Sequence, residues 1–403
     1  MRRLLIGNFD FEWSLAHPRS APGSALTRLA DELACTWLAI AESDDLLLLP
    51  GVTPTERHEL LCEADVGLAQ SAVEHATDNF GCGLPTTIAS LDEAPQDALV
   101  TPWGWTRQLL SHCQHLGLAI PEHPPVDVVQ RVNSRRFSIA LEDRFDSSPS
   151  GVRWIESMDQ FRDHLKQLVA QISDEARWVL KANLSNSSRE RLIGRGHHLS
   201  PRDHTWIESR LERDGGLALE PWLDVIAEAG VQFDIAPSGN VELLGVTPQV
   251  TDPAGHYRGS LFTTPGNVVD EWRDEVDGAL AAAEAVAAEG YFGPLGIDLC
   301  RYRNVHGVVR SRPLQDINAR WTMGRLSLGW RRLAEPGDTG FWRHGPPGAV
   351  LRESPHLPDA PADCILPTSP TRLDDRPTRI QHRLEIWRAA AAGKEGATTE
   401  THS

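Results

Sequence analysis

The chain opens on a short apolar run, Leu4 to Ile6, which stops at Gly7-Asn8; a second run at 46–49 stops at Pro50-Gly51. Runs this short, ended by turn formers, predict buried strands. Between them Leu26, Leu29, Leu33 and Trp37 recur at helical spacing, and residues 54–71 return to a helical pattern. Strand and helix alternate, so residues 1–98 predict a small α/β domain with a mainly parallel sheet.

From Pro102 the texture changes. Residues 101–118 start with Pro and Gly and become amphipathic helix, and 157–172 predict another helix. Residues 177–184, "RWVLKANL", predict a strand carrying a lone lysine. Residues 216–250 predict a strand, a proline-broken connector and a hairpin around Pro237-Ser238-Gly239-Asn240. A long helix over 267–290 closes at Gly290, and 293–321 predict a β-hairpin. Beyond about 335 the chain reads as Pro-rich and irregular, with one last helix in "RIQHRLEIWRAAAAG" and a disordered end.

The second arm of that hairpin, "PLQDINARW", alternates. Asp316, Asn318 and Arg320 share one face of a strand, and Ile317 and Ala319 share the other. Hard cations take carboxylate and amide oxygens, one or two from protein and the rest from phosphate. An arginine beside them would clamp phosphate or carboxylate. Asp298 lies in the first arm. If the arms pair, it falls across from Asp316, and two carboxylates that close repel unless a cation lies between them. A half-exposed strand with hydrated polar residues accounts for the same letters, so both readings stay open on this stretch.

Lys181 ends an apolar strand before a Ser/Asn-rich loop, 183–196. That arrangement suits phosphate; it also suits a lysine snorkelling from a strand end. Glu220-Pro221-Trp222-Leu223 breaks a ladder and frees backbone donors and acceptors for a purine edge, or is an ordinary strand end.

Composition narrows the partners. At 403 residues the chain is long enough for two or three domains. A formal net charge of −17 argues against non-specific binding to nucleic acid or an anionic membrane. No apolar stretch approaches the ~20 residues that span a bilayer, and "MRRLLIGNFDFEW" gives no expectation of a signal peptide. The cysteines form no C-x-x-C pair and read as thiols of a reducing compartment, so the expected location is cytoplasmic.

Taken in order, these pieces resemble the ATP-grasp superfamily of carboxylate ligases. "VLKANLSNSSRERL" looks like the family's lysine strand and phosphate loop. "LEPWLDVIAEAGVQFDI" is similar to its adenine linker, and "GYFGPLGIDLCRYRN…RPLQDINARWTMG" is similar to its metal hairpin, which usually carries an acid and then Glu-x-Asn-x-Arg. "PWGW" at 102–105 and "VNSRRFS" at 132–138 fall where the entry helix and first basic residue are expected. The resemblance covers roughly 100–330. It implies an α/β (α+β) protein with a pre-ATP-grasp domain over 1–98, a first subdomain over 99–215, a second over 216–335 and a C-terminal extension over 336–403.

The resemblance also implies roles. Asp298, Asp316 and Asn318 would hold Mg²⁺, with Mn²⁺ as a substitute. Lys181 and one of Arg135 or Arg136 would contact ATP phosphates. Backbone around Glu220, Trp222 and Leu223 would read adenine, and Glu220, Asp224 and Glu228 compete for the ribose. Arg320 would face phosphoryl or acyl-phosphate oxygens. The loop is poor in glycine, so Arg189 and Arg191 would reach the γ-phosphate by side chain. The expected activity is Mg-dependent ligation of a small-molecule carboxylate to an amine or thiol through an acyl phosphate, with a homodimer allowed. A nucleotide-binding pseudoenzyme and an ATP-dependent phosphoryl transferase stay open as alternatives.

Overall fold

The structure, a computed structural model, describes residues 2–50, 85–185, 190–262, 268–354, 356–373 and 376–389. The helix expected over 54–71, and the chain end expected to be disordered over 394–403, lie outside these residues.

Four parallel strands form the first sheet, in the order Thr86–Ile88, Leu46–Leu48, Arg3–Ile6, Leu99–Pro102. Leu4, Leu5, Leu46 and Leu47 are fully buried, as expected of parallel strands covered on both faces. The sheet extends past residue 98, because Leu99–Pro102 is its fourth strand. Helix Arg107–Leu116 follows, capped by the Thr106 hydroxyl and ended by Gly117 in the left-handed region at φ 69°.

The second sheet is antiparallel: Arg153–Ile155, Leu217–Pro221, Arg177–Ala182 and Arg191–Arg195. Helices Met158–Ile172 and Pro201–Asp214 pack on it around Phe161, Trp178, Leu180 and Ile207. Here the structure corrects the loop expected over 183–196, whose second half is a strand. Trp178 is the reason. An ideal Cβ at Gly194 would lie 2.0 Å from the Trp178 ring, and the Trp178 indole N–H donates to Gly196 O at 2.9 Å. Gly194 therefore makes room for a buried tryptophan on the neighbouring strand.

The third sheet has eight strands, in the order Val309–Asn318, Gly293–Arg303, Asp224–Ile235, Val241–Thr251, Tyr257–Leu261, Thr339–Gly345, Gln381–Trp387, Cys364–Pro367. Helix Arg273–Ala288 buries Ala279, Ala282, Ala283 and Val286 against the core. Three of these strands come from the region expected to be irregular, and the segment read as a last helix is the strand Gln381–Trp387. Period two prevails there: His382, Leu384 and Ile386 face inward together.

The parallel domain docks on this sheet through helix Met323–Gly329. Gly329 approaches so closely that a Cβ would stand 2.3 Å from Ala39 O, and Arg332 donates to Ala41 O and Leu38 O.

Candidate active site

The hairpin register builds the site. Asp298 lies directly opposite Asp316, Gly296 opposite Asn318, and Cys300 opposite Arg312. Directly opposed residues share a face, so Arg312, Asp316, Asn318 and Asp298 look the same way despite the bulge around Pro313. Ile317 and Ala319 enter the core on the other face. Across the next strand, Gly230 lies beside Asp298 and Glu228 beside Cys300, and Gln249 faces Glu228.

Hydrogen bonds tie these groups together. Asn318 Nδ2 donates to Asp298 Oδ2 at 3.0 Å, and Gln249 Nε2 donates to Asp298 Oδ1 at 2.9 Å. Arg320 Nη2 donates to Asn318 Oδ1 at 2.8 Å, and Arg135 Nη1 lies 3.2 Å from Asp316 Oδ2. Burial, and then the charge of Asp316, push the Asp298 carboxyl up to about 6. Burial, and then Asp298, likewise raise Glu228. Like charges held this close, in a buried place, are what a cation would relieve. The donors, two carboxylates and an amide, are hard oxygens suited to Mg²⁺. These residues fit such an ion; among the described residues no group of three or more His, Cys, Asp or Glu side chains offers a metal site of another kind.

Beside them lies a buried row of charges. Lys181 Nζ is 2.8 Å from Glu220 Oε1. Arg312 Nη1 donates to Glu220 Oε2 at 2.7 Å, and its Nε and Nη2 grip Glu142 at 2.7 and 2.8 Å. Burial alone would raise the Glu220 carboxyl, but Arg312 and Lys181 outweigh it and hold it well below the usual carboxylate range. Burial lowers the Lys181 ammonium. The row brings together helix Arg135–Arg144, the second sheet and the hairpin of Gly293–Arg303 with Val309–Asn318.

The remaining sequence candidates divide. Arg135 reaches the site; Arg136 stands apart, exposed, paired with Glu156 and stacked over Trp154. Asp224 pairs at the surface with Arg303. Trp222 lies under the Arg177 guanidinium, and its backbone N–H already donates to Arg177 O at 2.9 Å. Leu223 is half-buried beside it. Arg191 sits on the strand Arg191–Arg195, where it donates to Ala254 O, and Arg189 lies outside the described residues. Arg320 is held by Glu12 at 2.5 Å and stacks over Trp103, so its guanidinium ties the hairpin to the N-terminal domain. Sequence reading missed Arg312, Glu142, Gln249 and Glu12. Each is a polar letter in an ordinary setting, and only distant pairing marks it.

No protein-family model matches the sequence. A solved biotin carboxylase domain dimer of Hydrogenobacter thermophilus 2-oxoglutarate carboxylase, in complex with MgADP, ADP and bicarbonate, superposes with a TM-score of 0.50 at 12% identity. The superposition covers 96% of this chain and 86% of that one. The chain has the ATP-grasp fold. The N5-carboxyaminoimidazole ribonucleotide synthetase of Thermus thermophilus superposes with a TM-score of 0.47 at 12% identity, over 96% of this chain and 93% of that one. In sequence, a [butirosin acyl-carrier protein]–L-glutamate ligase of Niallia circulans is 40% identical over 82 residues. That stretch is 20% of this chain and spans only 18% of the ligase. Among the described residues, no helix is long and apolar enough to cross a membrane.

Proposed function

We propose that this chain is an ATP-dependent ligase that joins a small-molecule carboxylate to an amine, or to a thiol, with release of ADP and phosphate. The observation that carries the reading is the Asp298–Asp316 pair, opposed across a hairpin and flanked by Asn318. Asp298, Asp316 and Asn318 would hold Mg²⁺, or Mn²⁺ in its place, and the ion when bound supplies neutralisation of phosphate charge.

Everything else falls to the chain's own side chains. Lys181 exchanges Glu220 for nucleotide phosphate, and Arg312 remains to compensate Glu220 once the ammonium has moved. Arg135, near both Asp316 and Ser185, adds a second cation for phosphate. The backbone after Glu220 lies against the adenine, and Glu228, half-buried on the same face as Asp298, is the best placed of the three acids for the ribose. In the reaction a carboxylate oxygen of the substrate bonds to Pγ while the bond to ADP oxygen breaks. The amine nitrogen then bonds to the acyl carbon, phosphate departs, and the amine's proton is lost to solvent. Positioning and charge neutralisation supply the catalysis.

The short stretch shared with a ligase named for L-glutamate supports an amino acid as the first partner to try. With a carboxylate labelled in ¹⁸O, one labelled oxygen should appear in the released phosphate. ADP release with unlabelled phosphate would contradict the acyl-phosphate route. A second reading, nucleotide binding without turnover, draws on Arg320 being held by Glu12 and Arg191 by Ala254; it expects no ADP release with any pair of substrates.

A further inference from the structure

We propose that Arg135 is a built-in counter-ion: it does for Asp316 what a divalent cation would do, and nucleotide phosphate must draw it away before the metal site is complete. The inference rests on the ligase reading above and concerns the order in which that site is assembled.

Arg135 is the first residue of its helix. The Ser134 hydroxyl caps the helix by accepting from Phe137 N at 3.2 Å, and the Arg135 backbone N–H donates to Asn183 O at 3.0 Å. The arginine is thereby fixed at the end of the lysine strand. Its side chain is only 12% exposed. Nη1 reaches Asp316 Oδ2 at 3.2 Å and Nη2 reaches Ser185 Oγ at 3.5 Å, while Nε is buried without a hydrogen-bond partner. A guanidinium satisfied by a carboxylate uses two donors in a parallel fork. This one makes a single contact with its carboxylate and keeps a donor idle, so it is held by charge more than by fit.

The charges around it point the same way. Arg320 neighbours the pair through Asn318, but it has Glu12 as its own partner. Lys181 is engaged by Glu220, and Arg312 by Glu142 and Glu220. Among the described residues, Arg135 is the cation in contact with the Asp298–Asp316 pair that has no other acid. The oxygens a metal needs are also engaged: both of Asp298 accept N–H groups, Oδ1 of Asn318 accepts from Arg320, and Oδ2 of Asp316 faces Arg135. A metal arriving alone must displace a guanidinium from Asp316 and meets its repulsion. A triphosphate offers Arg135 a better partner, releases Asp316 and brings further oxygens for the metal. Nucleotide and metal should therefore promote each other's binding, with Arg135 as the coupling element.

The test is Mn²⁺ binding to the full chain without nucleotide, followed by electron paramagnetic resonance, in the parent, Arg135→Met and Arg135→Lys. Removing the positive charge should tighten Mn²⁺ binding about tenfold or more in Arg135→Met, an effect on the order of one close charge–charge interaction near a protein surface. Arg135→Lys keeps the charge and should stay within about threefold of the parent. Metal-free ATP should bind more weakly to Arg135→Met. Mn²⁺ affinity in Arg135→Met that equals or falls below the parent's, with its melting temperature retained, overturns the proposal. So does Arg135→Lys gaining as much as Arg135→Met. Absence of Mn²⁺ binding in all three proteins even with saturating ATP removes the ligase reading and this inference together, which separates the two failures.

Discussion

Lys181 and Glu220 meet diagonally across two antiparallel strands, Nζ to Oε1 at 2.8 Å, with Val179 paired to Glu220 and Lys181 to Ala218. The contact holds the ammonium in a largely buried place, and in the proposed reading nucleotide phosphate replaces it. Lys181→Met should therefore weaken ATP binding at least about tenfold, the loss of one charge-assisted contact to phosphate. Arg312 still compensates Glu220 in the variant, so the fold should persist. Calorimetry with MgATP is the check, and an unchanged dissociation constant would leave Lys181 as a structural partner of Glu220 only.

Arg312 carries the structural side of the same row. It is buried between Glu142 and Glu220, and removing it leaves two buried carboxylates, one with no cation in contact. Breaking a buried pair in this way costs about 3–5 kcal/mol. Arg312→Met should lower the unfolding free energy measured by urea titration by that much. A change below about 1 kcal/mol would mean that water reaches the row and screens it.

The acid limb of stability should carry the mark of two buried histidines that take no part in the candidate site. His344 and His382 are opposed across two strands, Nδ1 to Nδ1 at 3.1 Å, and both are buried. Burial holds His382 down to about 3, and burial together with His382 holds His344 well below its ordinary value of 6.5. Below pH 6.5 the unfolded chain binds protons here that the folded chain does not, so stability falls as pH drops from 6.5. Each histidine contributes a slope of about 1.4 kcal/mol per pH unit. His382→Asn keeps a polar atom at the Nδ1 position and should flatten the decline between pH 6.5 and 4.5. An identical slope in the variant would rule out this source.

What the sequence discloses depends on whether the pattern is local. The parallel strands are legible because Leu4–Ile6 and the leucines at 46–49 are unbroken apolar runs. The alternation of faces in the strand Val309–Asn318 is legible because Ile317 and Ala319 go inward while Asp316 and Asn318 do not. The strand Gln381–Trp387 is hidden because one of its inward positions is a histidine, which looks polar until His344 is found opposite. The strand Arg191–Arg195 is hidden because its glycine answers to Trp178 rather than to a turn. Arg312 reads as one more surface arginine in "VRSRPL", since its partner Glu142 lies 170 residues upstream. Arg320 is legible as a site-facing cation but not as the partner of Glu12, 308 residues away. Long-range charge pairing leaves no periodicity in the chain.

The central claim is that the opposed carboxylates serve a Mg-dependent, ADP-forming reaction. ADP release by Asp316→Ala, measured with an amino acid panel under conditions where the parent turns over, tests it most directly. Loss of one metal carboxylate should lower kcat/KM by about 10²–10³-fold, several kcal/mol of transition-state stabilisation, while the melting temperature stays close to the parent's. Turnover equal to the parent's in a folded Asp316→Ala protein would contradict the account.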